Sequence, residues 1–315
     1  MTADAPRHRV RVPDALLASF DDEAGRAWLA ALPALAESYL DWWDLRLDGP
    51  PAHGTVALVL PVARPDGSRA VLKLQPVDEE TRGEPLALRA WAGRDAVRLL
   101  DSDPATGTML LERLDASRSL AGVADGTVAL RILSELLARL VALPAPAGLP
   151  TLADTAAAML DRLPHLLSRL EVPADRPLLT TCADAMREVL PEPGDRLLHW
   201  DLHYENVLAR GSCAGSAGPT QWLAIDPKPL AGHPGFELLP ALRNRWDDIV
   251  ATGNAARAVG HRFRLMTEVV GLDRQQATGW TLGRVLQNAL WDIEDGAATL
   301  DPQQATIARA LLGIG

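Results

Sequence analysis

The chain has 315 residues, and its 31 Lys plus Arg against 41 Asp plus Glu give a formal net charge of −10. With 48% hydrophobic and 23% charged residues it can bury a substantial core, and its composition is far from that of a disordered chain. The acidic balance disfavours nucleic acid and anionic membrane as main partners and favours a cationic small molecule. We therefore expect a compact protein of one large domain or two moderate ones.

Hydrophobic periodicity predicts a small sheet with one internal helix in the first third of the chain, after two leading helices. A turn at Pro65-Asp66-Gly67 separates two β-rich runs, which is typical of a β-hairpin. The elements predicted in order are two helices between residues 14 and 45, broken near Asp21; hairpin strands over 55–62 and 69–74; a helix over 79–91; and strands over 97–100 and 108–114.

From Leu120 onward the periodicity becomes mostly helical. The predicted elements are helices over 130–143, 152–170 and 178–190, short strands over 196–198, 207–209 and 222–225, and further helices in the final 80 residues. The Gly/Ser-rich tract at 211–218 is predicted to be a flexible loop tip. This order predicts an α+β fold of two lobes, a β-rich lobe over 1–113 and a helical lobe over 114–315.

The lack of a signal core, of a membrane-spanning run and of paired cysteines limits the cellular location and the thiol chemistry that we expect. The charged segment 1–11 has no apolar signal core after it, and no apolar run approaches the roughly 20 residues that span a bilayer. Cys182 and Cys213 are the only cysteines, far apart and outside any metal-ligand spacing. This spacing excludes a disulfide framework and a Cys-based zinc site. We expect a cytoplasmic protein without a membrane partner and with two inert thiols.

The basic residues are strongly biased. Lys73 and Lys228 are the only lysines, and the other 29 basic residues are arginine. Arginine substitutes poorly where a compact ammonium must contact one oxygen in a tight pocket. Both lysines are therefore candidate functional residues.

The segment His199–Asn206 fits the pattern H-x-D-L-x-x-x-N at every specified position, which is the catalytic loop of kinases. In that loop an Asp faces the acceptor hydroxyl, and an Asn five residues later holds a metal ion that bridges the phosphates. Asp201 is thus the predicted catalytic base and Asn206 a predicted magnesium ligand. The simpler alternative is a polar loop that only caps a strand.

A metal hydrolase is the more serious rival interpretation. On an extended strand His199, Asp201 and His203 would point to one face and could bind zinc or manganese. Two features favour the kinase instead. Asp226 follows the apolar run 222–225, where the second magnesium ligand of a kinase belongs, and Ala70-Val71-Leu72-Lys73 matches the V-A-I-K strand that presents a lysine to the α and β phosphates.

The remaining nucleotide contacts are less specific. Glu84, with Glu80 as the alternative, is the predicted partner of Lys73, and the segment 49–54 lacks the G-x-G-x-x-G pattern of a phosphate-covering loop. Backbone groups of 109–114, in particular those of Glu112 and Leu114, are predicted to read an adenine edge.

Two residues close to the motifs complete the nucleotide assignments. His203, inside the catalytic loop, is counted among the nucleotide-binding residues. Lys228, two residues after Asp226, can contact phosphate or form an ion pair, and the sequence leaves both alternatives open.

An acceptor pocket is expected in the C-terminal helices. Asn288, Trp291 and Asp295 share one helical face at positions i, i+3 and i+7, with Asp292 and Glu294 beside them. An aromatic face attracts a cation and carboxylates accept its hydrogen bonds. The alternative is an ordinary amphipathic helix with Trp291 in the core and the acids in solvent.

With these motifs, the sequence resembles the aminoglycoside phosphotransferases and looks most like their streptomycin 6-phosphotransferase branch, which is akin to the hydroxyurea phosphotransferases. The resemblance runs through 25–29, 199–208, 226–238 and 280–296. It implies a protein-kinase-like fold, ATP and Mg²⁺ as cofactors, Asp201 as base, Asn206 and Asp226 as magnesium ligands, and Lys73 on the ATP phosphates. It further implies a cationic aminoglycoside acceptor framed by the C-terminal helices.

The resemblance is incomplete, and other functions stay open. The glycine-rich signature and the A-P-E segment of protein kinases are absent, and the latter absence argues against a protein substrate. We expect phosphorylation of the 6-hydroxyl of streptomycin, which confers resistance, by a monomer or weak homodimer. The alternatives are a kinase for hydroxyurea or an amino sugar such as glucosamine, and a nucleotide-binding pseudokinase.

Overall fold

The computed structural model describes residues 10–172, 175–211 and 220–314. Within these ranges the chain forms two compact units. The first contains the residues up to Asp115 together with Arg210 and Gly211, and the second contains the others. Apart from Gly211, the tract at 211–218 that we predict to be a loop tip lies outside the described residues.

The helices and strands of the first unit follow the predicted order, except that β1 and β2 were not predicted. In chain order they are α1 (Asp14–Leu17), α2 (Glu23–Trp42), β1 (Arg46–Leu47), β2 (Ala52–His53), β3 (Leu58–Ala63), β4 (Arg69–Leu74), α3 (Glu84–Trp91), β5 (Leu99–Asp103) and β6 (Thr108–Glu112). The strands form one antiparallel sheet in the order β1-β3-β4-β6-β5, and β2 also pairs with β3.

The core of this unit lies between one face of the sheet and α2. Leu58, Leu60 and Val62 alternate on the buried face of β3, as the two-residue period of a strand requires. From α2, residues at helical spacing such as Leu29 and Leu32 enter the same cluster. The break that we predict near Asp21 is confirmed, because the Asp22 carboxylate caps α2 by accepting from the Gly25 N–H at 2.6 Å.

The helix predicted over 79–91 is shorter than expected. The Asp78 carboxylate accepts from the N–H groups of Glu80 and Thr81 at 2.9 and 2.8 Å, which folds this segment into turns. Helix α3 then begins at Glu84, with Pro85 in its first turn. The helix prediction was therefore wrong for residues 79–83. The hairpin of β3 and β4 is confirmed, although β3 begins at Leu58 rather than Thr55.

The second unit is mostly helical. In chain order its elements are β7 (Asp115–Ser119, whose first residue belongs to the first unit), α4 (Gly126–Leu140), α5 (Leu152–Arg169), α6 (Asp175–Val189), β8 (Arg196–Leu198), β9 (Val207–Ala209), β10 (Trp222–Ala224), β11 (Leu230–Gly232), α7 (Leu238–Arg243), α8 (Trp246–Val250), α9 (Ala255–Val270), α10 (Arg274–Glu294) and α11 (Pro302–Leu312). The unpredicted strand β7 joins β9 and β10 in one small sheet.

Helix α10 lies at the centre of this unit. It is buried almost all round between Ala277 and Leu290, as expected for a helix that packs against several neighbours. Those neighbours are α5, α6, α7, α11 and the short turn Pro234–Glu237.

Two short β-ladders place the segments that carry the kinase motif. Strands β8 and β11 are antiparallel with Leu198 opposite Leu230, and β9 and β10 are antiparallel with Val207 opposite Ala224. The loop between β8 and β9 therefore lies beside the segment between β10 and β11. In the part of the chain that the structure describes, no helix is both long and apolar enough to cross a membrane.

Candidate active site

The loop between β8 and β9 is held from inside by His199. The His199 ring is fully buried, and its Nε2 lies 2.9 Å from the Ile225 carbonyl oxygen. The Asp201 N–H donates to Nδ1 of the same ring at 3.3 Å. Because Nδ1 accepts, the proton is on Nε2 and is donated to the Ile225 carbonyl. The His199 ring therefore has a structural role, because its two hydrogen bonds connect the loop to the segment after β10.

This geometry is inconsistent with the metal-hydrolase interpretation. Both ring nitrogens of His199 face backbone partners, and Trp200 lies in the left-handed region at φ +66°. The chain therefore bends between His199 and Asp201, so that the two side chains are not on one face of an extended strand. Among the described residues, no group of three His, Cys, Asp or Glu side chains could hold a metal ion.

The left-handed conformation of Trp200 is fixed by three buried side chains. The Trp200 N–H donates to the Glu237 carboxylate, and its indole Nε1 donates to Gln287 Oε1 at 3.3 Å. The Arg284 guanidinium donates to the Trp200 carbonyl oxygen at 3.2 Å and also to Gln287. Such a backbone conformation costs about 1–3 kcal/mol in a residue other than glycine and persists only where its surroundings fix it. These contacts fix the residue directly before Asp201.

Arg284 is also enclosed by aromatic rings. Its guanidinium carbon lies 5.3 Å from the centroid of Trp200, 5.5 Å from that of Phe236 and 5.3 Å from that of Trp291. Sequence reasoning missed Glu237, Arg284 and Gln287. The available signal was polar residues inside two buried segments: Glu237 among apolar residues at 236–239, and Arg284 and Gln287 along α10.

The Asp201 carboxyl lies among several charges. Burial is the largest influence and raises its pKa, and Asp226 raises it further. His203, Lys228 and Arg284 oppose this shift. The result is a carboxyl group that holds a proton more readily than an ordinary aspartate. This property suits a residue that must accept a proton from an alcohol.

Asn206 and Asp226 provide oxygen ligands beside Asp201. The Asn206 Nδ2 donates to the Asp201 carbonyl oxygen at 3.0 Å and lies 3.5 Å from Asp201 Oδ2. The Ile225 N–H donates to the Asn206 carbonyl at 2.9 Å, and Asp226 follows directly after it, two residues beyond the end of β10. Asp226 is left-handed at φ +59°. One amide oxygen and one carboxylate fit Mg²⁺, which commonly takes one or two protein ligands together with substrate phosphates.

A cavity of about 480 Å³ opens beside Asp201 within the second unit. Its lining includes His203 and Lys228 from the motif segments, and Asn288, Trp291 and Asp292 from α10. Burial is the main cause of a raised pKa of Asp292, whose carboxylate accepts from Gln304 at 3.0 Å. Three of the five residues predicted on this helix therefore meet at the cavity.

The other two predicted residues do not line it. Glu294 is exposed and accepts from Arg162 at 2.8 Å, and Asp295 is exposed at the position that caps the C-terminus of α10. Their assignment to the pocket differs from the structure, because Glu294 lies on another face and the helix ends before Asp295. Trp291 is partly buried. It is therefore neither in the core, as in an ordinary amphipathic helix, nor fully exposed to the cavity.

In the first unit, Lys73 and Glu84 form a buried ion pair. The Lys73 ammonium donates to both Glu84 oxygens at 2.8 Å, and Gln75 Nε2 donates to one of them at 2.7 Å. Lys73 is 5% exposed and Glu84 is 1% exposed. Of the two carboxylates that we considered as partners, Glu84 is the one in contact. Buried charges of this kind are normally paired and hydrogen-bonded, as here.

The predicted adenine-contacting residues lie at the end of β6. The Glu112 carboxylate accepts from the Arg98 N–H at 2.8 Å and from Arg210 at 2.9 Å, and Leu114 is buried. The side chain of Glu112 thus accepts from arginine and from the backbone, and the Glu112 N–H donates to the Arg98 carbonyl oxygen at 2.9 Å. The predicted residues divide between the units: Lys73, Glu84, Glu112 and Leu114 belong to the first, and Asp201, His203, Asn206, Asp226, Asn288, Trp291, Asp292, Glu294 and Asp295 to the second.

The fold is similar to that of solved structures at low sequence identity. The chain matches a thermostable mutant of aminoglycoside phosphotransferase APH(4)-Ia with a TM-score of 0.58 at 14% identity, over 90% of this chain and 99% of that one. It matches a choline/ethanolamine kinase family protein from Mesorhizobium loti with a TM-score of 0.56 at 20% identity, over 93% and 92% of the two chains. The predicted α+β, protein-kinase-like fold is confirmed.

Sequence comparison gives the family. Residues 42–296 match the family described as aminoglycoside/hydroxyurea antibiotic resistance kinase, and the chain belongs to this family. It is 58% identical to a streptomycin 6-kinase from Streptomyces glaucescens, over 96% of this chain and 98% of that one. It is 52% identical to a streptomycin 6-kinase from Streptomyces griseus, over 96% and 97%. It is also 53% identical to a hydroxyurea phosphotransferase from Kitasatospora aureofaciens, over 92% and 82%.

Proposed function

We propose that this kinase transfers the γ-phosphoryl group of ATP to the 6-hydroxyl of streptomycin. The observation that carries the proposal is the position of Asp201 at the edge of a cavity that also presents Trp291 and Asp292. The near full-length similarity to two streptomycin 6-kinases supports the choice of acceptor. A net charge of −10 supports a cationic substrate and disfavours nucleic acid.

In the proposed reaction the acceptor oxygen attacks the γ-phosphorus while Asp201 receives the proton of the hydroxyl. The bond from phosphorus to the bridging oxygen breaks, and its electron pair stays on ADP. The raised pKa of Asp201 strengthens it as a base, and the buried contacts of Trp200 hold it in place. The protein thus contributes mainly orientation and charge.

Each unit contains residues that we assign to cofactor binding. Asn206 and Asp226 would hold Mg²⁺, which neutralises phosphate charge when bound. Lys73, oriented by Glu84, would contact the α and β phosphates, and backbone groups of Glu112 and Leu114 would contact adenine.

Acceptor recognition would come from α10. A guanidinium group can stack on the Trp291 ring and donate to the Asp292 carboxylate, and Asn288 adds an amide. We propose further that the enzyme acts in the cytoplasm as a monomer or weak homodimer, with a nucleotide-binding lobe over 1–113 and an acceptor-binding lobe over 114–315.

Hydroxyurea is the second candidate acceptor, and a specific observation favours it. The hydroxyurea phosphotransferase relative is as similar as one of the two streptomycin kinases. The cavity also contains Lys228, Arg243 and Arg284, so it is not uniformly acidic. Streptomycin remains the first choice because a small acceptor such as hydroxyurea would leave most of a cavity of about 480 Å³ unfilled.

The test is a coupled assay of ADP release with ATP and Mg²⁺, comparing streptomycin, hydroxyurea, glucosamine and no acceptor. We expect selective stimulation by streptomycin and a loss of kcat of about 10³-fold in Asp201→Asn, with nucleotide binding retained. The matched control is Asp161→Asn, which removes an exposed carboxylate on α5.

Each contrary result has a definite meaning. Activity with another acceptor only would refute streptomycin as the substrate, and inactivity with all acceptors despite ATP binding would favour a pseudokinase. Full turnover in Asp201→Asn would refute the role of this residue as the base.

A further inference from the structure

Lys228 is placed by the backbone directly beside the catalytic loop. Its N–H donates to the His199 carbonyl oxygen at 2.9 Å, continuing the ladder in which Leu230 of β11 faces Leu198 of β8. Asp226, two residues earlier, turns the chain with its left-handed backbone. The position of the Lys228 Cα atom is therefore fixed relative to the loop that carries Asp201.

The Lys228 side chain extends from this position into the cavity. Its ammonium lies 4.0 Å from Asp201 Oδ2, and the side chain is 38% exposed. The Lys73–Glu84 pair is different, with 2.8 Å between charged atoms and almost no exposure. A charge-assisted hydrogen bond measures about 2.7–2.9 Å. The Lys228 ammonium therefore lies beside Asp201 Oδ2 but is too far from it for a hydrogen bond of this kind.

We propose that Lys228 is a catalytic residue that contacts the γ-phosphoryl group during transfer, an inference that rests on the proposed phosphotransferase reaction. A base takes a proton across a hydrogen bond of about 2.6–3.2 Å, so the acceptor oxygen lies within this distance of Asp201. The γ-phosphorus that this oxygen attacks then lies close to the Lys228 ammonium, because the ammonium is 4.0 Å from the same Asp201 carboxylate.

The charges of the cavity favour phosphate as the partner of Lys228. A cationic acceptor would be repelled by this ammonium, whereas the transferred phosphoryl group is the anion of the reaction.

The identity of the residue agrees with this role. In a chain with 29 arginines and 2 lysines, this position beside the base is a lysine. A compact ammonium with three donors can follow one oxygen as the phosphoryl group moves from ADP to the acceptor, whereas the planar guanidinium requires a fixed two-pronged partner. Lys228 stays protonated throughout. The proton of the acceptor goes to Asp201, and Lys228 only donates hydrogen bonds to non-bridging phosphoryl oxygens.

The experiment compares Lys228→Met and Lys228→Arg with the unmodified enzyme, using saturating ATP and Mg²⁺. We expect Lys228→Met to lower kcat about 10²–10³-fold and to change the KM for streptomycin less than about threefold, because the contact forms in the transition state. Lys228→Arg should recover only part of the loss. Arg264→Gln, an exposed position on α9, controls for the removal of one positive charge.

A second readout separates contact with phosphate from mere support of Asp201. Replacing ATP by adenosine 5′-(γ-thio)triphosphate weakens hydrogen bonds to the transferred group. The ratio of kcat with ATP to kcat with the thio analogue should fall about fivefold in Lys228→Met and stay unchanged in Arg264→Gln. Thermal unfolding of each variant confirms that it is folded.

Three results would overturn the inference: a kcat of Lys228→Met within threefold of the unmodified enzyme, a change confined to KM, or an unchanged thio ratio, which would leave Lys228 as an ion-pair partner of Asp201 only. Failure of streptomycin as acceptor is a separate result, visible in the unmodified enzyme. In that case the same comparison is made with the acceptor that is active or with ATP hydrolysis by water.

Discussion

The carboxyl group of Glu237 should make the folded protein less stable as the pH rises. Burial is the main cause of its raised pKa of about 7. The N–H groups of Trp200 and His199 and the Arg284 guanidinium only partly oppose this shift. The ordinary value is 4.5, so the folded state binds the proton more tightly than the unfolded state does. The contribution to stability is therefore fully present below about pH 4.5 and is lost as the pH rises through about 7.

The magnitude follows from the two pKa values. For a folded value of about 7 and an unfolded value of 4.5, the free energy of unfolding falls by about 2–3 kcal/mol between pH 5 and pH 8 on account of this group. The substitution Glu237→Gln removes the titration and keeps an oxygen that can accept from the Trp200 N–H. The variant should therefore lose about 2–3 kcal/mol less than the unmodified protein over the same interval.

The assay is urea unfolding of both proteins at pH 5, 6, 7 and 8. Only the difference between their pH slopes is used, because Glu237→Gln can also change stability at every pH by altering the contact with Trp200. Glu188→Gln, an exposed position on α6, controls for the loss of one negative charge. Parallel curves for the unmodified protein and Glu237→Gln would falsify this account of the buried carboxyl.

Two further substitutions test the ion pair of the first unit and a close backbone approach in the second. Glu84→Gln removes the carboxylate that accepts from the buried Lys73 ammonium at 2.8 Å, so we expect a loss of about 3–5 kcal/mol in urea unfolding and a raised KM for ATP; a loss below about 1 kcal/mol would contradict this. Gly194→Ala puts a Cβ 2.8 Å from backbone atoms of His233 at φ +74°. Gly67→Ala at φ +80° meets nothing within 4 Å. Both variants carry about 1–2 kcal/mol of backbone strain, and only the first adds a clash, so equal thermal shifts would refute the contact argument.

Much of the first unit could be predicted because its signals are local. The alternating burial of β3, the turn before Arg69 and the cap at Asp22 each act over a few residues. The start of α3 could not be predicted from periodicity, because the Asp78 side chain competes for backbone N–H groups that a helix would otherwise use. Strand β7 was missed for a related reason: its residues are polar and its pairing partner β9 is distant in the sequence.

The candidate site shows the same division. Motif spacing predicts that Asp201, Asn206 and Asp226 lie close together. In the structure, two short adjacent ladders bring these residues together. Helical periodicity places Asn288 and Trp291 at one cavity. It places Asp295 there as well only if the helix continues, and α10 ends one residue earlier. The end of a helix depends on its cap and on the packing around it, which a period of 3.6 residues does not contain.

The residues that sequence reasoning missed explain how the motif works. A motif states which side chains perform chemistry, but Asp201 can act only if the left-handed Trp200 before it is held in place. That role falls to Glu237, Gln287 and Arg284, which lie 37, 87 and 84 residues away in the chain. Glu237 and Arg284 are ionisable groups in a buried site, and the raised pKa of Glu237 shows that burial there opposes ionisation. Together with Gln287 they hold the base in one orientation before substrate arrives, and an enzyme that acts by positioning gains its rate in this way.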